Sequence, residues 1–242
     1  MAHNSDLPAM SGLGSSSAFT VGFLNSLYGL RGNKTNKKKL AFEAICIEQK
    51  RIKENVGSQD QILTAMGGFN AITFNSNGIH ISPIKISEKR CKDLESRILL
   101  FFTGFPRNAS DIAAEQIKNT PKKTFELNTM VSLANEAKRV LYSNGNLDEF
   151  GNLLDQSWQI KKGLSSKITT SFIDEAYGIA RSAGAIGGKL LGAGGGGFMI
   201  FFAHPEKHVK IIHKLKHMLH VPFKFENTGS QIIYRGSNKN KI

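Results

Sequence analysis

The sequence predicts a chain of mixed helices and strands in two domains, and three observations carry that expectation. A glycine- and serine-rich stretch, Pro8-Ala9-Met10-Ser11-Gly12-Leu13-Gly14-Ser15-Ser16-Ser17-Ala18, stands directly before a helix-periodic apolar run. Two short apolar runs, Ala71 to Phe74 and Ile79 to Ile86, flank Asn75-Ser76-Asn77-Gly78 as the arms of a hairpin would. Around Ser87 to Glu95 the character of the chain changes, and Ile98-Leu99-Leu100-Phe101-Phe102 follows as a continuous apolar run suited to a strand buried on both faces. The boundary placed there divides residues 1–95 from residues 96–242.

Taken in order, Ala2 to Leu7 suits a short strand leading into the glycine-serine stretch. Ser15 to Leu30 is a helix, with Phe19, Val21, Phe23, Leu24, Leu27 and Tyr28 as its apolar positions. Gly32 to Asn36 is a turn, and a second helix runs from Lys37 to about Glu54. Ser58-Gln59-Asp60-Gln61 has the spacing of a capping box ahead of Ile62, Leu63 and Met66, with Gly67-Gly68 as the stop. Thr103 to Ser110 is a loop, and Ile112 to Trp158 is mostly helical with breaks near Gly145 and Gly151. Ser171 to Ala183 carries Ile173, Ala176, Tyr177 and Ala180 on one face. Glycine-rich sequence from Gly187 to Gly197 leads into a strand, Phe198 to Ala203. Pro205 to Leu219 is an amphipathic helix, and Phe223 to Phe225 with Ile232 to Tyr234 close the second domain.

The composition is that of a globular chain, 40% hydrophobic and 21% charged. No apolar run reaches the length of a membrane helix, and the first residues lack the basic and apolar regions of a signal peptide. A cytoplasmic compartment is the expectation. Cys46 and Cys91 stand in unrelated contexts and suggest neither a disulfide framework nor a metal site. The net charge of +13, from 32 basic and 19 acidic residues, favours anionic partners of several kinds. Nucleic acid is not expected, because the lysines are scattered and lack interleaved aromatics.

A loop of this kind at a helix start offers unpaired backbone N–H groups, and the macrodipole favours an anion there. Gly12 and Gly14 permit a close backbone approach, while Ser15, Ser16 and Ser17 bring oxygens for a phosphate or its metal. A nucleotide phosphate cradle is one reading; a capped helix with a glycine turn is the other. Glu48 lies beside Ala41, Ala44 and Ile45 on its helix, so its carboxylate can look inward toward a divalent cation or outward to solvent. Asp60, in the first turn of its helix, either complements the dipole or orients an attacking hydroxyl. The tract Gly192 to Gly197 fails the dinucleotide-binding fingerprint, because the order read is helix, glycines, strand. Neither glycine tract supplies a Walker A loop. Asp174 is read as part of a Ser171-x-x-Asp174 cap. His213, His217 and His220 fall on a solvated face rather than around a metal. Arg107, in the loop after the buried strand, is either a grip for an anionic substrate or a surface arginine.

Pro8 to Ala18 resembles the second signature of the GHMP kinases, and Lys189 to Phe198, Lys-Leu-Leu-Gly-Ala-Gly-Gly-Gly-Gly-Phe, resembles their third. Ile47-Glu48-Gln49, Glu54 to Gln61, Gly67-Gly68-Phe69-Asn70, Phe101-Phe102-Thr103-Gly104, Ser157-Trp158 and Leu164-Ser165-Ser166-Lys167 look like the branch of D-glycero-D-manno-heptose 7-phosphate kinases and related sugar kinases. The resemblance covers essentially the whole chain. It implies an α+β fold of two domains, the first like ribosomal S5 domain 2 and the second ferredoxin-like, with an active site between them. It further implies that Gly12, Leu13, Gly14, Ser15, Ser16 and Ser17 wrap the phosphates of ATP, that Ser16 and Glu48 ligate Mg²⁺, that Asp60 is the base or orienter for a sugar hydroxyl, and that Gly194, Gly195 and Gly196 support the phosphate loop. The family places a substantial segment before the phosphate loop, so the resemblance implies a truncated first domain that lacks strands, as in the C-terminal part of a split or shortened gene, with a missing N-terminal segment or chain as a candidate partner. The expected function is a Mg·ATP-dependent sugar kinase acting on a sugar phosphate, at the anomeric hydroxyl of a heptose 7-phosphate. The alternative is a non-catalytic remnant or subunit that binds nucleotide or a partner chain.

Overall fold

A computed structural model describes residues 2–6, 12–104 and 109–234. Contacts divide them into two units: Gly14–Ile81 with the described residues from Glu226 onward, and Ser82–Phe225 with the described residues before Gly14. Compactness therefore parts the chain at 81/82, upstream of the expected 95/96, and sends the last segment back to the first unit.

In the smaller unit α1 (Ser15–Leu30), α2 (Lys37–Cys46) and α3 (Gln59–Met66) pack with a hairpin of β1 (Asn70–Asn75) and β2 (Gly78–Pro83). Val21, Leu40, Ala41, Ala44, Ile45, Ile62 and Ala65 form its core, with Ile72, Ile79 and Ile81 of the hairpin packed against them. The small residues Ala41, Ala44 and Ala65 have no exposed surface, which lets the helices approach closely. The helix expected from Lys37 to Glu54 ends at Cys46 and continues as a π turn over Ile47–Ile52. Residues 2–6 join neither sheet, so the short strand expected from Ala2 does not form among them, and Leu7 lies outside the described residues.

The segment after Glu226 docks on the end of α3 rather than closing the second domain. Gly68 N–H donates to the Glu226 carbonyl at 2.9 Å and Ser230 N–H to the Thr64 carbonyl at 2.9 Å. A Cβ on Gly67, whose φ is 64°, would lie 2.0 Å from the Gly229 nitrogen; only glycine permits that approach.

The larger unit is built on an antiparallel sheet of β3 (Ile98–Phe102), β4 (Gly187–Leu190), β5 (Phe198–Phe202) and β6 (Leu219–His220), in the order β4-β5-β3-β6. With helices between β3 and β4 and α9 (Pro205–Lys214) between β5 and β6, this is the ferredoxin-like β-α-β-β-α-β arrangement. β3 lies between β5 and β6, Leu99 opposite Phe201 and Phe101 opposite both Met199 and His220, which explains its unbroken apolar sequence. Leu99, Phe101, Leu190, Met199 and Phe201 share a core with Trp158, Ile173, Ala176, Tyr177 and Ala180. Burying one such phenylalanine is worth about 1.5–3 kcal/mol.

The connecting helices are α4 (Glu88–Ser96), α5 (Ala109–Asn119), α6 (Thr124–Tyr142), α7 (Asp148–Lys162) and α8 (Ser171–Ala183). The break near Gly145 is present, but Gly151 lies inside α7, where the missing side chain admits Phe202 and Ile186. The cap of α8 is Thr170, whose hydroxyl accepts from Ile173 N–H; Asp174 instead pairs with Lys162 at 3.4 Å. Gly187 to Leu190, read as part of the glycine tract, is a strand, so the true order is helix, strand, glycine loop, strand. The helix expected to reach Leu219 stops at Lys214, leaving His213 on α9, His217 in the turn that follows and His220 on β6. Among the described residues no group of three His, Cys, Asp or Glu could hold a metal by itself, and no helix is long and apolar enough to cross a membrane.

Candidate functional site

The start of α1 is set by two glycines in left-handed conformation, Gly12 with φ 85° and Gly14 with φ 71°. Gly14 is the N-cap and uses no side chain to cap the helix, so the first-turn amides are not answered by a capping hydroxyl. Of the three serines that follow, Ser16 is exposed, whereas Ser17 is buried and its hydroxyl donates to Oε2 of Glu48 at 2.9 Å. The serine in contact with Glu48 is therefore Ser17, one residue beyond the one the resemblance assigns to the metal.

Glu48 is carried by the π turn that succeeds α2. The Glu54 N–H donates to its carbonyl at 3.0 Å, and the turn ends on Lys53 with φ 65°. A π turn widens the helix and re-aims the side chains it carries, and such turns gather at functional sites. Here it aims Glu48 inward, 1% exposed.

Gln61 supplies the second contact. Its spacing from Ser58 predicts a capping box, and the structure corrects that expectation. Ser58 makes no side-chain cap; its hydroxyl accepts from Gln49 Nε2 at 3.1 Å, and the same amide donates to the Val56 carbonyl at 3.0 Å. Gln61, fully buried, turns inward and donates through Nε2 to Oε2 of Glu48. The amide meets the carboxyl oxygen through nitrogen, its donor atom.

Both donors therefore converge on one oxygen of Glu48. Its other oxygen, Oε1, is buried and has no hydrogen-bond partner among the described residues, and Oε1 of Gln61 is in the same condition. No basic side chain among the described residues forms an ion pair with Glu48. A buried carboxylate oxygen left in this state is costly unless something positive meets it. The residues present thus fit a hard divalent cation. Mg²⁺ is held by one or two carboxylates with substrate phosphates and water supplying the rest, which suits a site with a single buried carboxylate.

Asp60 precedes Gln61 in the first turn of α3 and points elsewhere. A Cβ built on Gly14 would lie 3.1 Å from Cβ and Cγ of Asp60 and 3.2 Å from its Oδ2. The exposed carboxylate rests against the glycine that starts α1. Consecutive residues of one helix thus divide the work, Gln61 gripping Glu48 and Asp60 flanking the glycine-serine turn from solvent. Gln61 is the site residue that sequence reasoning missed, because its partner lies 13 positions away and its spacing already had a local explanation.

In the larger unit the glycine loop joins β4 to β5. Gly194, Gly195, Gly196 and Gly197 all have positive φ, from 74° to 158°. Gly195 N–H donates to the Ile168 carbonyl at 2.9 Å, and a Cβ on Gly194 would lie 2.6 Å from the Ile168 α-carbon. Gly197 N–H donates to the hydroxyl of buried Thr103 at 2.9 Å, and Lys161 Nζ donates to the carbonyls of Leu190 at 3.1 Å and Gly192 at 2.5 Å. The loop is held by its own unit. Burial pushes the Lys189 amine on β4 below its ordinary value. Arg107 lies outside the described residues.

Comparison with known proteins adds a second line. Residues 1–68 match the GHMP kinases N terminal domain and residues 130–220 match GHMP kinases C terminal. The D-glycero-alpha-D-manno-heptose 7-phosphate kinase of Campylobacter jejuni is 32% identical over 216 residues, 88% of this chain and 63% of that protein. The mevalonate kinase of Thermococcus sibiricus is 28% identical over 222 residues, 88% of this chain and 62% of that protein. The crystal structure of a D-glycero-D-manno-heptose 1-phosphate kinase from Bacteroides thetaiotaomicron matches with a TM-score of 0.66 at 27% identity, over 93% of this chain and 64% of that one. This chain spans a little under two thirds of the length of each of these relatives.

Proposed function

We propose, from the premise that this chain belongs to the GHMP kinase family, that it is an ATP-dependent sugar kinase moving the γ-phosphoryl group onto the anomeric hydroxyl of D-glycero-D-manno-heptose 7-phosphate. The observation that carries the reading is that two carboxylates flank the start of α1, Glu48 bonded to the Ser17 hydroxyl and held by Gln61, and Asp60 resting against Gly14. The similarity to a heptose phosphate kinase favours the sugar, and the basic balance of the chain suits two anionic substrates.

Phosphoryl transfer asks a protein for positioning and charge more than for covalent chemistry. The backbone from Gly12 to Ser17 would hold the triphosphate at the positive end of α1. The orphaned Oε1 of Glu48, with the hydroxyl of Ser16, would hold the Mg²⁺, which when bound supplies neutralisation of the charge on the phosphates. Asp60 accepts a hydrogen bond from the attacking sugar hydroxyl, fixes its direction, and takes its proton as the new O–P bond forms and the bond from the γ-phosphorus to the β–γ bridging oxygen breaks, releasing ADP. Leu13 would lie within that cradle. Gly194, Gly195 and Gly196 are proposed as further nucleotide contacts, and Arg107 as a contact for the sugar phosphate, on the resemblance alone.

ADP release tests the reading, measured on the purified protein with ATP and either the heptose 7-phosphate or mevalonate. The expected result is turnover with the sugar phosphate and none with mevalonate; ADP release indifferent to the acceptor overturns it. Asp60→Asn is expected to lower turnover by about a hundred-fold or more while leaving ATP binding in place. Unchanged turnover removes Asp60 from the mechanism.

A further inference from the structure

We propose that Gln61 is a positioning residue for the cation: together with Ser17 it pins Oε2 of Glu48, so that Oε1 is the oxygen presented to the metal. The inference rests on the kinase reading above and extends it to a residue outside the phosphate loop and the acidic pair.

A carboxylate on a flexible side chain can rotate and offer either oxygen, or both, to a cation. Glu48 is not free to do so. Two neutral donors, the Ser17 hydroxyl and the Gln61 amide, occupy Oε2, and the carboxylate is 1% exposed. The donors come from opposite sides in sequence, one from the first turn of α1 and one from the first turn of α3. Both are buried, Ser17 at 5% and Gln61 at 0% exposure, so water does not compete for the same oxygen. With Oε2 taken, Oε1 is the oxygen left without a partner among the described residues. Hydrogen bonds that orient a ligating group are worth about 10–100-fold in metal affinity when removed.

Gln61 also declines the easier alternative. A glutamine three residues after a serine at a helix start can return to cap it. Here that cap is absent, Ser58 is satisfied by Gln49, and the Gln61 amide is spent on a buried carboxylate instead. Its own Oε1 goes without a partner among the described residues, a cost that local stability gives no reason to accept.

Manganese in place of magnesium gives a direct readout. Mn²⁺ binding to the intact chain is followed by electron paramagnetic resonance in the presence of ATP, and ATP binding is measured separately in chelator. Gln61→Met keeps the volume and removes the donor. It is expected to weaken Mn²⁺ binding about ten-fold or more while ATP affinity in chelator stays at the wild-type value. Gln61→Asn, which keeps the amide but cannot reach, is expected to do the same and serves if the methionine variant does not fold. Wild-type Mn²⁺ affinity in either folded variant overturns the proposal, and so does an equal loss in both measurements, which marks a structural role. If the wild-type chain itself fails to bind Mn²⁺ with ATP, the kinase reading of the site falls and this proposal falls with it.

Discussion

The Ser17 hydroxyl donates to Oε2 of Glu48 at 2.9 Å across 31 positions of sequence, tying the first turn of α1 to the π turn after α2. The contact fixes a carboxylate in the interior with no cation of the described residues paired to it. A buried carboxylate in such a setting is costly to hold without a positive partner.

Neutralising that carboxylate should therefore separate stability from binding. Glu48→Gln keeps the shape, and its carbonyl oxygen can still accept from Ser17 and Gln61. The unpartnered group left behind is then a neutral amide rather than a charged oxygen, which costs less to bury. The variant is expected to gain about 1 kcal/mol in the absence of ligands, read as a higher midpoint in calorimetry. Its stabilisation by added Mg·ATP should largely vanish. A variant that melts earlier than wild type and still responds fully to Mg·ATP would show that Glu48 is neither strained nor facing the cation.

Gly14 lies where the glycine-serine turn and the Asp60 carboxylate meet. Its φ of 71° disfavours any side chain, at about 1–2 kcal/mol for alanine. The added carbon would stand 3.1 Å from Cβ and Cγ of Asp60, close enough to push that side chain outward by a few tenths of an ångström. Gly14→Ala is expected to lose stability by that amount in urea denaturation and to lower kcat about ten-fold. Gly22→Ala is the comparison. Gly22 lies on the same helix with nothing within 4 Å of its added carbon, so it should leave turnover unchanged.

How much of this was legible depends on how local the determining contacts are. The bounds of α1 and α8 could be read directly, because apolar positions at helical spacing fix them within one element. β3 declared itself through five apolar residues in a row. Glu48 and Asp60 were legible as candidates, but only the fold shows that they answer different parts of the turn. β4 was hidden because Gly187 and Gly188 look like loop residues until the sheet and α7 are there to press on them. Gln61 was hidden because a local motif explained it, and the contact that overrides the motif comes from another helix. The return of the last segment to α3 depends on Gly67 meeting Gly229, a pairing across the whole larger unit that no window of sequence displays.

Asp155 and Tyr177 give a pH prediction. Burial would raise the Asp155 carboxyl, but hydrogen bonds from Tyr177 and Gln159 and the charges of Arg181 and Lys162 outweigh it and hold it below its ordinary value. A carboxyl depressed in the folded state contributes stability above its unfolded value, near 4, and loses it as pH falls through the folded one. Burial and then Asp155 raise the Tyr177 phenol, so its contribution is complete below its ordinary value and is lost only in strong alkali. Tyr177→Phe keeps the ring against Trp158 and Phe201 and removes the bond. The variant is expected to be about 1.5–3 kcal/mol less stable at pH 7, with the difference shrinking as pH is lowered toward 3. Thermal midpoints across that range check it; a constant difference would mean that the lost stability is packing rather than the charged hydrogen bond.

A glycine pressed against backbone in the larger unit predicts a damaging single methyl group. A Cβ on Gly187 of β4 would stand 1.9 Å from the carbonyl oxygen of Gly151 and 3.0 Å from the Asp155 nitrogen, both on the backbone of α7. Neither atom can rotate away as a side chain would, so the helix must lift from the sheet edge. That movement disturbs Phe202, which lies where a side chain on Gly151 would be, and Trp158, which shares the core. Gly187→Ala is expected to cost about 3 kcal/mol or more. Gly178→Ala on α8 is its opposite, since nothing lies within 4 Å of the added carbon and the position is helical. It should gain roughly 0.5–1 kcal/mol. Urea midpoints of the two variants measured side by side decide the matter: equal shifts would mean that α7 and β4 are not in glycine-to-backbone contact in solution.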